Sequence, residues 1–362
     1  MTGQCQYSVE RGTRFSNIAS SVLLLIVAGL AFAPYWTDRG TLRLLSEFFN
    51  FLTLAMLWNL LAGFVGLVSV GQQAYVGAGG YAFFALIMSF GIPPLLAIPL
   101  SGFAGALCAV PSAFLLFRLK GAYFAIGTWV MAEVLRLASL LIPTLGGGSG
   151  LSLPVAVVRA IAETRDMREW LTYWSSLTLA VLVMASIYLM VRSRLGLAMT
   201  SIRDSEIASE SLGIRIWMTK FVLYVGVGAV TAITGALIFL QKLRITPDAA
   251  FSVNDWTAFI IFIAVIGGVG TLEGPIAGTL IFFMLRQTMA ELGTIYLMVL
   301  GALAIVVMLR APRGVWGTIA RRFDVELLPV RQKLIDRPPV VASHQPDGNV
   351  SAGLTEQSPR RP

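Results

Sequence analysis

The chain has 362 residues, 56% of them hydrophobic and only 13% charged, with a mean hydropathy of +0.77. So few charges cannot coat a soluble fold of this size, which excludes a soluble enzyme, and the composition is the reverse of a disordered chain. The net charge of +8 reads as the basic excess of cytoplasmic loops rather than as a nucleic-acid surface.

A helix crosses the hydrocarbon core in about 20 apolar residues. The first charge-free stretch, residues 16–37, follows Arg11 and Arg14. Ala31-Phe32-Ala33 looks like a signal-peptide cleavage site, but the apolar part is long and Pro34 comes next, so the stretch reads as an uncleaved first span. Residues 48–117 then run for 70 positions without a charge. That is room for three spans, with turns at 69–73 and 91–94. Span five covers about 121–142 and carries Glu133 and Arg136. A glycine-rich loop at 146–150 and a charged connection through Glu169 lead to span six, 170–191. A 29-residue polar segment, 192–220, separates it from span seven, 221–241. Asp248 and Asp255 lie in the next connection. Span eight is 256–272, span nine starts near Gly274 and is cut short by Arg286, and span ten is 292–309.

The expected fold is therefore an all-α polytopic membrane protein with about ten transmembrane helices. Ten crossings put both termini on one side. That side holds 18 basic residues and the other 7, so both termini are expected in the cytoplasm. The organisation follows: a cytoplasmic N-terminal segment 1–15, a transmembrane domain 16–310 with a cytoplasmic loop at 192–220, a juxtamembrane segment 311–337, and a tail 338–362. The tail is rich in Pro, Ser, Gly and charge and reads as disordered. Residues 315–330 suit a short interfacial helix with Arg321 and Arg322 toward anionic headgroups.

Cys5 and Cys108 cannot build a disulfide framework or zinc site, and the single histidine, His344, sits in the tail. No metal, cofactor or catalytic residue is expected. The sequence also lacks a G-x-x-x-x-G-K-[ST] phosphate loop. Transport must then draw on a gradient or on an ATPase in another subunit. Glu133 is the one good mid-span acid, with Arg136 three residues on along the same helix face. An internal ion pair is the leading reading; a substrate contact and a proton relay are the alternatives.

Within 192–220, a short amphipathic helix is expected over 201–213. Ser201 serves as N-cap, Asp204 stands at the capping-box distance, Gly213 ends the helix, and Ile202, Ile207 and Leu212 share one side. Such a helix suits a partner's groove, against the alternative of an ordinary solvated loop helix.

Two glycine-dense segments stand in corresponding halves of the chain, 63–81 and 267–278. Gly63, Gly66 and Gly71 in the first, and Gly267, Gly268, Gly270, Gly274 and Gly278 in the second, allow close helix approach and breaks in the helices. Repeats of this kind flank a central pathway. Ser69, Gln72, Gln73 and Tyr75 are the polar candidates on the first.

These motifs, in this order, resemble the permeases of branched-chain amino acid ABC importers, LivM type. The similarity is carried by the two glycine segments and by residues 118–128, Arg-Leu-Lys-Gly-Ala-Tyr-Phe-Ala-Ile-Gly-Thr, followed by Glu133 and Arg136. Ser193-Arg194-Leu195-Gly196 and the stretch 202–214 are similar to that family's ATPase-coupling loop. Ala122 and Ser209 depart from its usual pattern. The similarity covers about residues 15–320. It implies an inner-membrane permease that pairs with a second, LivH-like permease. Two ATP-binding cassette subunits dock inside and a periplasmic substrate-binding protein delivers solute outside. Ser201, Arg203, Asp204, Glu206, Ala208, Leu212 and Gly213 would form the ATPase-coupling helix. Related permeases for urea, amides or aromatic acids remain alternatives, as does a stand-alone secondary transporter or channel.

Overall fold

The computed structural model describes residues 7–10, 14–162, 164–289, 295–311, 313–323 and 333–336. The long helices are α1 (Arg14–Ala31), α2 (Arg39–Asn59), α3 (Gln72–Phe90), α4 (Pro94–Leu116) and α5 (Ala122–Leu140). After the short α6 (Val155–Ile161) comes α7 (Arg165–Arg192), then the small pair α8 (Arg194–Asp204) and α9 (Glu206–Ser211), and then α10 (Ile216–Lys242). The chain continues through α11 (Pro247–Ala250), α12 (Phe259–Gly267), α13 (Gly274–Met289), α14 (Ile295–Arg310) and α15 (Gly314–Phe323). Among the described residues, eight helices are long and apolar enough to cross a membrane. The helices α1 and α13 are not among these eight, against the ten or so crossings expected.

The bundle is built around α2. Every residue from Phe49 to Val65 is buried, as befits a helix that is apolar on all sides. At Leu60–Val65 the helix loosens into a π turn, a distortion common at functional positions. A second π turn, Val253–Ala258, leads into α12. Around α2 pack α7, α10, α12 and α13, and α10 packs closely on α3 and α4. The peripheral α5 and α14 leave most of their apolar side chains exposed, as lipid-facing helices do.

Side-chain contacts fix which helix ends lie together. At one end Arg43 Nη2 lies 2.7 Å from Glu169 Oε1 and Arg286 Nη1 lies 2.7 Å from Glu47 Oε1. Arg39 pairs there with Asp166, and Tyr173 OH donates to Leu30 O at 2.6 Å. The Asp38 carboxylate accepts from Gly40 N–H and Thr41 N–H and so caps α2. At the other end, α8 lies against the π turn that ends α2, α9 packs on α8 and α10, and Gly314 sits on Gly268. These are called the Arg43 end and the Arg203 end.

Two expectations change. Span two begins at Arg39, not at residue 48, because Arg39, Arg43 and Glu47 find partners on α7 and α13 and remain in the helix. Span eight ends at Gly267 rather than at 272, and its helical run starts earlier, at Pro247. β1 (Tyr7–Glu10) pairs antiparallel with β4 (Lys333–Asp336), Tyr7 facing Asp336, so the two ends of the described chain lie together. A second small pair joins β2 (Leu151–Ser152) to β3 (Arg244–Ile245). A helix does form over the first part of 315–330, as α15, packed on α12, α13 and α14; residues 324–330 and the tail lie outside the described residues.

Candidate functional site

The two glycine segments meet. The chain turns between α2 and α3 at residues 66–71, and between α12 and α13 at residues 268–273. Gly66 and Gly270 hold φ of +83° and +80°, a conformation glycine adopts without steric penalty. The backbones are so close that a Cβ on Gly63 would lie 2.4 Å from the Gly270 nitrogen. Asn59, in the last turn of α2, bonds across the gap. Its Nδ2 donates to Thr271 O at 2.7 Å, and its Oδ1 accepts from Gly270 N–H at 2.8 Å. The carboxamide thus stands in for a peptide group of a neighbouring strand. Within the second turn the Thr271 hydroxyl donates to Gly268 O at 2.8 Å and accepts from Gly274 N–H at 3.1 Å, which caps α13. Gly278 lets α13 lie on α12: a Cβ there would stand 2.0 Å from Ile263 O.

The coupling segment is two helices, not one. Ser193 caps α8 and Ser205 caps α9, its hydroxyl accepting from Ala208 N–H. Ser201 is therefore not an N-cap: it lies in the last turn of α8, with its hydroxyl 2.7 Å from that of Ser209. Asp204 ends α8 instead of standing at a capping-box position. Nor do the three apolar residues share a face. Ile202 is buried in the bundle, whereas Ile207 is 82% and Leu212 76% exposed. Ser205 breaks the helix between them and turns α9 outward. Gly213, with φ +78°, follows the last turn of α9. Glu206 is held by Lys220 Nζ at 2.6 Å. Arg203 reaches inward: its Nη1 donates to Gly63 O at 2.8 Å, while Nε and Nη2 both lie 3.0 Å from Asp204 Oδ1.

Ser69, Gln72, Gln73 and Tyr75 come together at the start of α3, all buried. The Gln73 carbonyl oxygen accepts from the Thr257 hydroxyl, and that of Gln72 lies 3.4 Å from Thr231 Oγ1. Val70 N–H donates to Thr128 Oγ1 at 2.9 Å, which pins the first turn to α5. Tyr75 packs edge-on against Tyr224 with ring centroids 5.9 Å apart. Among the described residues no group accepts from the Gln72 and Gln73 Nε2 atoms. Glu133 does not join this cluster. It is half exposed on α5 and paired with Arg136 at 2.6 Å, and Arg136 Nη1 also lies 2.8 Å from Asp248 Oδ1.

Sequence reading missed Asn59, Thr128, Thr231 and Thr257. Asn59 carried a signal, a carboxamide inside a charge-free run, where an unpaired polar group is costly. The threonines carried none, since a hydroxyl satisfied by its own helix is ordinary in a membrane span.

A lipid-embedded helical bundle with glycine turns, a buried polar seam and a helical appendage at one end defines a polytopic membrane translocation subunit. The chain belongs to the branched-chain amino acid transport system permease component family, whose pattern matches residues 40–308. It is 26% identical over 325 residues to the high-affinity branched-chain amino acid transport system permease protein LivM of Escherichia coli (strain K12), covering 83% of this chain and 75% of that protein. The Salmonella typhimurium (strain LT2) protein of the same name is 26% identical over 322 residues, with the same coverage. A probable branched-chain amino acid transport permease protein LivM of Methanocaldococcus jannaschii is 27% identical over 193 residues, 53% of this chain and 54% of its own length. No solved structure matches the chain.

Proposed function

We propose that the chain is the permease subunit of an ABC importer for branched-chain or similarly hydrophobic amino acids. It sits in the inner membrane with both termini and the Arg203 end in the cytoplasm. It pairs with a second permease, two ATP-binding cassette subunits supply the energy, and a periplasmic binding protein supplies the solute. One observation carries this reading. At the end of the bundle that bears the basic loops, a short, firmly capped helix presents Ile207 and Leu212 to the outside. Large apolar side chains on a polar appendage mark a docking surface rather than a solvated loop. The chain that docks is read as an ATPase because the family is a transport component and the sequence has no phosphate loop of its own.

Leu212, Ala208 and Glu206 form the docking side. Ser69, Gln72, Gln73 and Tyr75 line the route, sealed in this arrangement by Thr231 and Thr257. ATP-driven movement of α8 and α9 would rock the bundle and expose that seam to one side and then the other. An apolar amino acid needs only a few polar groups for its charged ends, and the seam supplies carboxamides and a hydroxyl. The sparse chemistry here leaves selectivity chiefly to the binding protein.

The test is substitution of Leu212 by aspartate, with co-purification of the ATPase subunits as readout. Retention should fall at least tenfold, and a cysteine placed at Ile207 should be labelled only from the cytoplasmic side. Wild-type retention, or labelling of that cysteine from outside, overturns the proposal. A ligand screen on the partner binding protein tests the substrate class.

A further inference from the structure

Among the described residues, Arg203 is the one side chain of the coupling segment seen to bond the glycine segments. Its Nη1 holds the carbonyl of Gly63, and Gly63 is the residue on which Gly270 rests. Asn59, one helical turn before Gly63, bonds Gly270 N–H and Thr271 O. A Cβ built on Gly270 would lie 3.4 Å from Arg203 Nη1, so the guanidinium bonds the first segment and lies beside the second turn. Asp204 fixes its orientation from the other side. One short path therefore links the last turn of α8 to the end of α2 and to the start of α13.

We propose that this joint, Arg203 to the Gly63 carbonyl with Asn59 bridging to Gly270 and Thr271, is where displacement of the coupling segment is passed to both glycine turns at once. Arg203 is then a positioning residue, not a docking residue. The geometry favours this role over mere packing in two ways. A guanidinium on a main-chain carbonyl moves backbone, not just a side chain. The turns it grips lie between helix pairs, α2–α3 and α12–α13, that contribute opposite walls of the seam, Gln73 from α3 and Thr257 from the run into α12. A shift of about 1 Å at the joint would alter both walls together, because close-packed elements move as units. Glycine at 63 and 270 keeps the two backbones in contact, so that a pull on the Gly63 carbonyl is felt at Gly270.

The inference rests on the coupling reading above and is tested in the full reconstituted complex: this chain, the second permease, the ATPase subunits and the binding protein. Arg203→Met keeps length and apolar bulk but removes every donor. The expected result is normal co-purification of the ATPase subunits, uptake lowered at least tenfold, and ATP hydrolysed per solute raised by a similar factor. Arg203→Lys, which keeps one donor for the Gly63 carbonyl, should recover part of the uptake. Asn59→Ala should uncouple in the same way, and the Arg203→Met/Asn59→Ala double variant should be no worse than the poorer single one, since both cut a single path. Uptake and hydrolysis ratio within twofold of wild type for Arg203→Met, or multiplying losses in the double variant, overturn the proposal. Loss of the ATPase subunits from the Arg203→Met complex also overturns it, because the side chain would then serve docking. If instead the wild-type chain never retains an ATPase, the coupling reading itself has failed.

Discussion

Replacing Gly63 by alanine drives a methyl group into the joint between the two turns. On the present backbone its Cβ would lie 2.4 Å from the Gly270 nitrogen, 2.6 Å from Asn59 Oδ1 and 2.8 Å from Gly270 Cα. Ordinary contact begins near 3.4 Å, so the turns must part by about 1 Å. The neighbour that must yield is backbone, which has no alternative rotamer. Overpacking of this kind costs about 1–3 kcal/mol. The same displacement stretches the bonds from Arg203 to Gly63, from Gly270 to Asn59 and from Asn59 to Thr271. At about 0.6 kcal/mol for an interhelical bond in a membrane protein, these add about 2 kcal/mol. The total is roughly 3–5 kcal/mol. The assay is the fraction of detergent-purified protein that stays monodisperse after heating. The control is Gly226→Ala on α10, where a Cβ meets nothing within 4 Å and alanine improves helix propensity. The midpoint for Gly63→Ala should fall by at least about 5 °C, and that for Gly226→Ala should hold or rise. If Gly63→Ala matches Gly226→Ala to within about 1 °C, the turns are not in the tight contact described and the argument fails.

Two other effects are measurable in the same way. The Asp38 carboxyl is held below its usual range, first by the Thr41 hydroxyl and then by the Thr41 N–H. A depressed folded pKa contributes stability above the unfolded value and loses it as pH falls through the folded one. The thermal midpoint of Asp38→Asn, which still caps but does not titrate, should therefore gain on wild type between about pH 5 and pH 3; parallel curves would show that the cap is not formed. Glu47 and Arg286 pair 2.7 Å apart with both side chains over a third exposed, so breaking the pair should cost less than about 1 kcal/mol and the charge-swapped double variant should regain most of it. No recovery in the swap would mean that the two act independently.

The spans were legible because water and lipid impose the same pattern wherever a helix crosses: a run of apolar residues closed by charge. The rule misplaced the start of α2 because Arg39, Arg43 and Glu47 satisfy their charges on α7 and α13, more than a hundred residues away, and no local pattern records that. The motif marked out residues 192–220 as a segment of interest, but not its shape. Ser201 and Ser205 are both good caps with an acid or amide-bonding neighbour downstream, and only the burial of Ile202 in the bundle decides that the break falls at 205. The glycine segments showed where backbones could approach. They did not show that the approach is to each other, since the partners Asn59 and Gly270 are 211 positions apart.

The buried carboxamides at the start of α3 have an energetic consequence. Gln72 and Gln73 use their oxygens on Thr231 and Thr257, but among the described residues their nitrogens have no acceptor. A buried donor left without a partner forfeits about 1–3 kcal/mol. Water or a solute's oxygen can satisfy such a donor. These two amide groups therefore have bonding capacity to spare at the start of α3, which water or a polar solute can take up without displacing a bond already made.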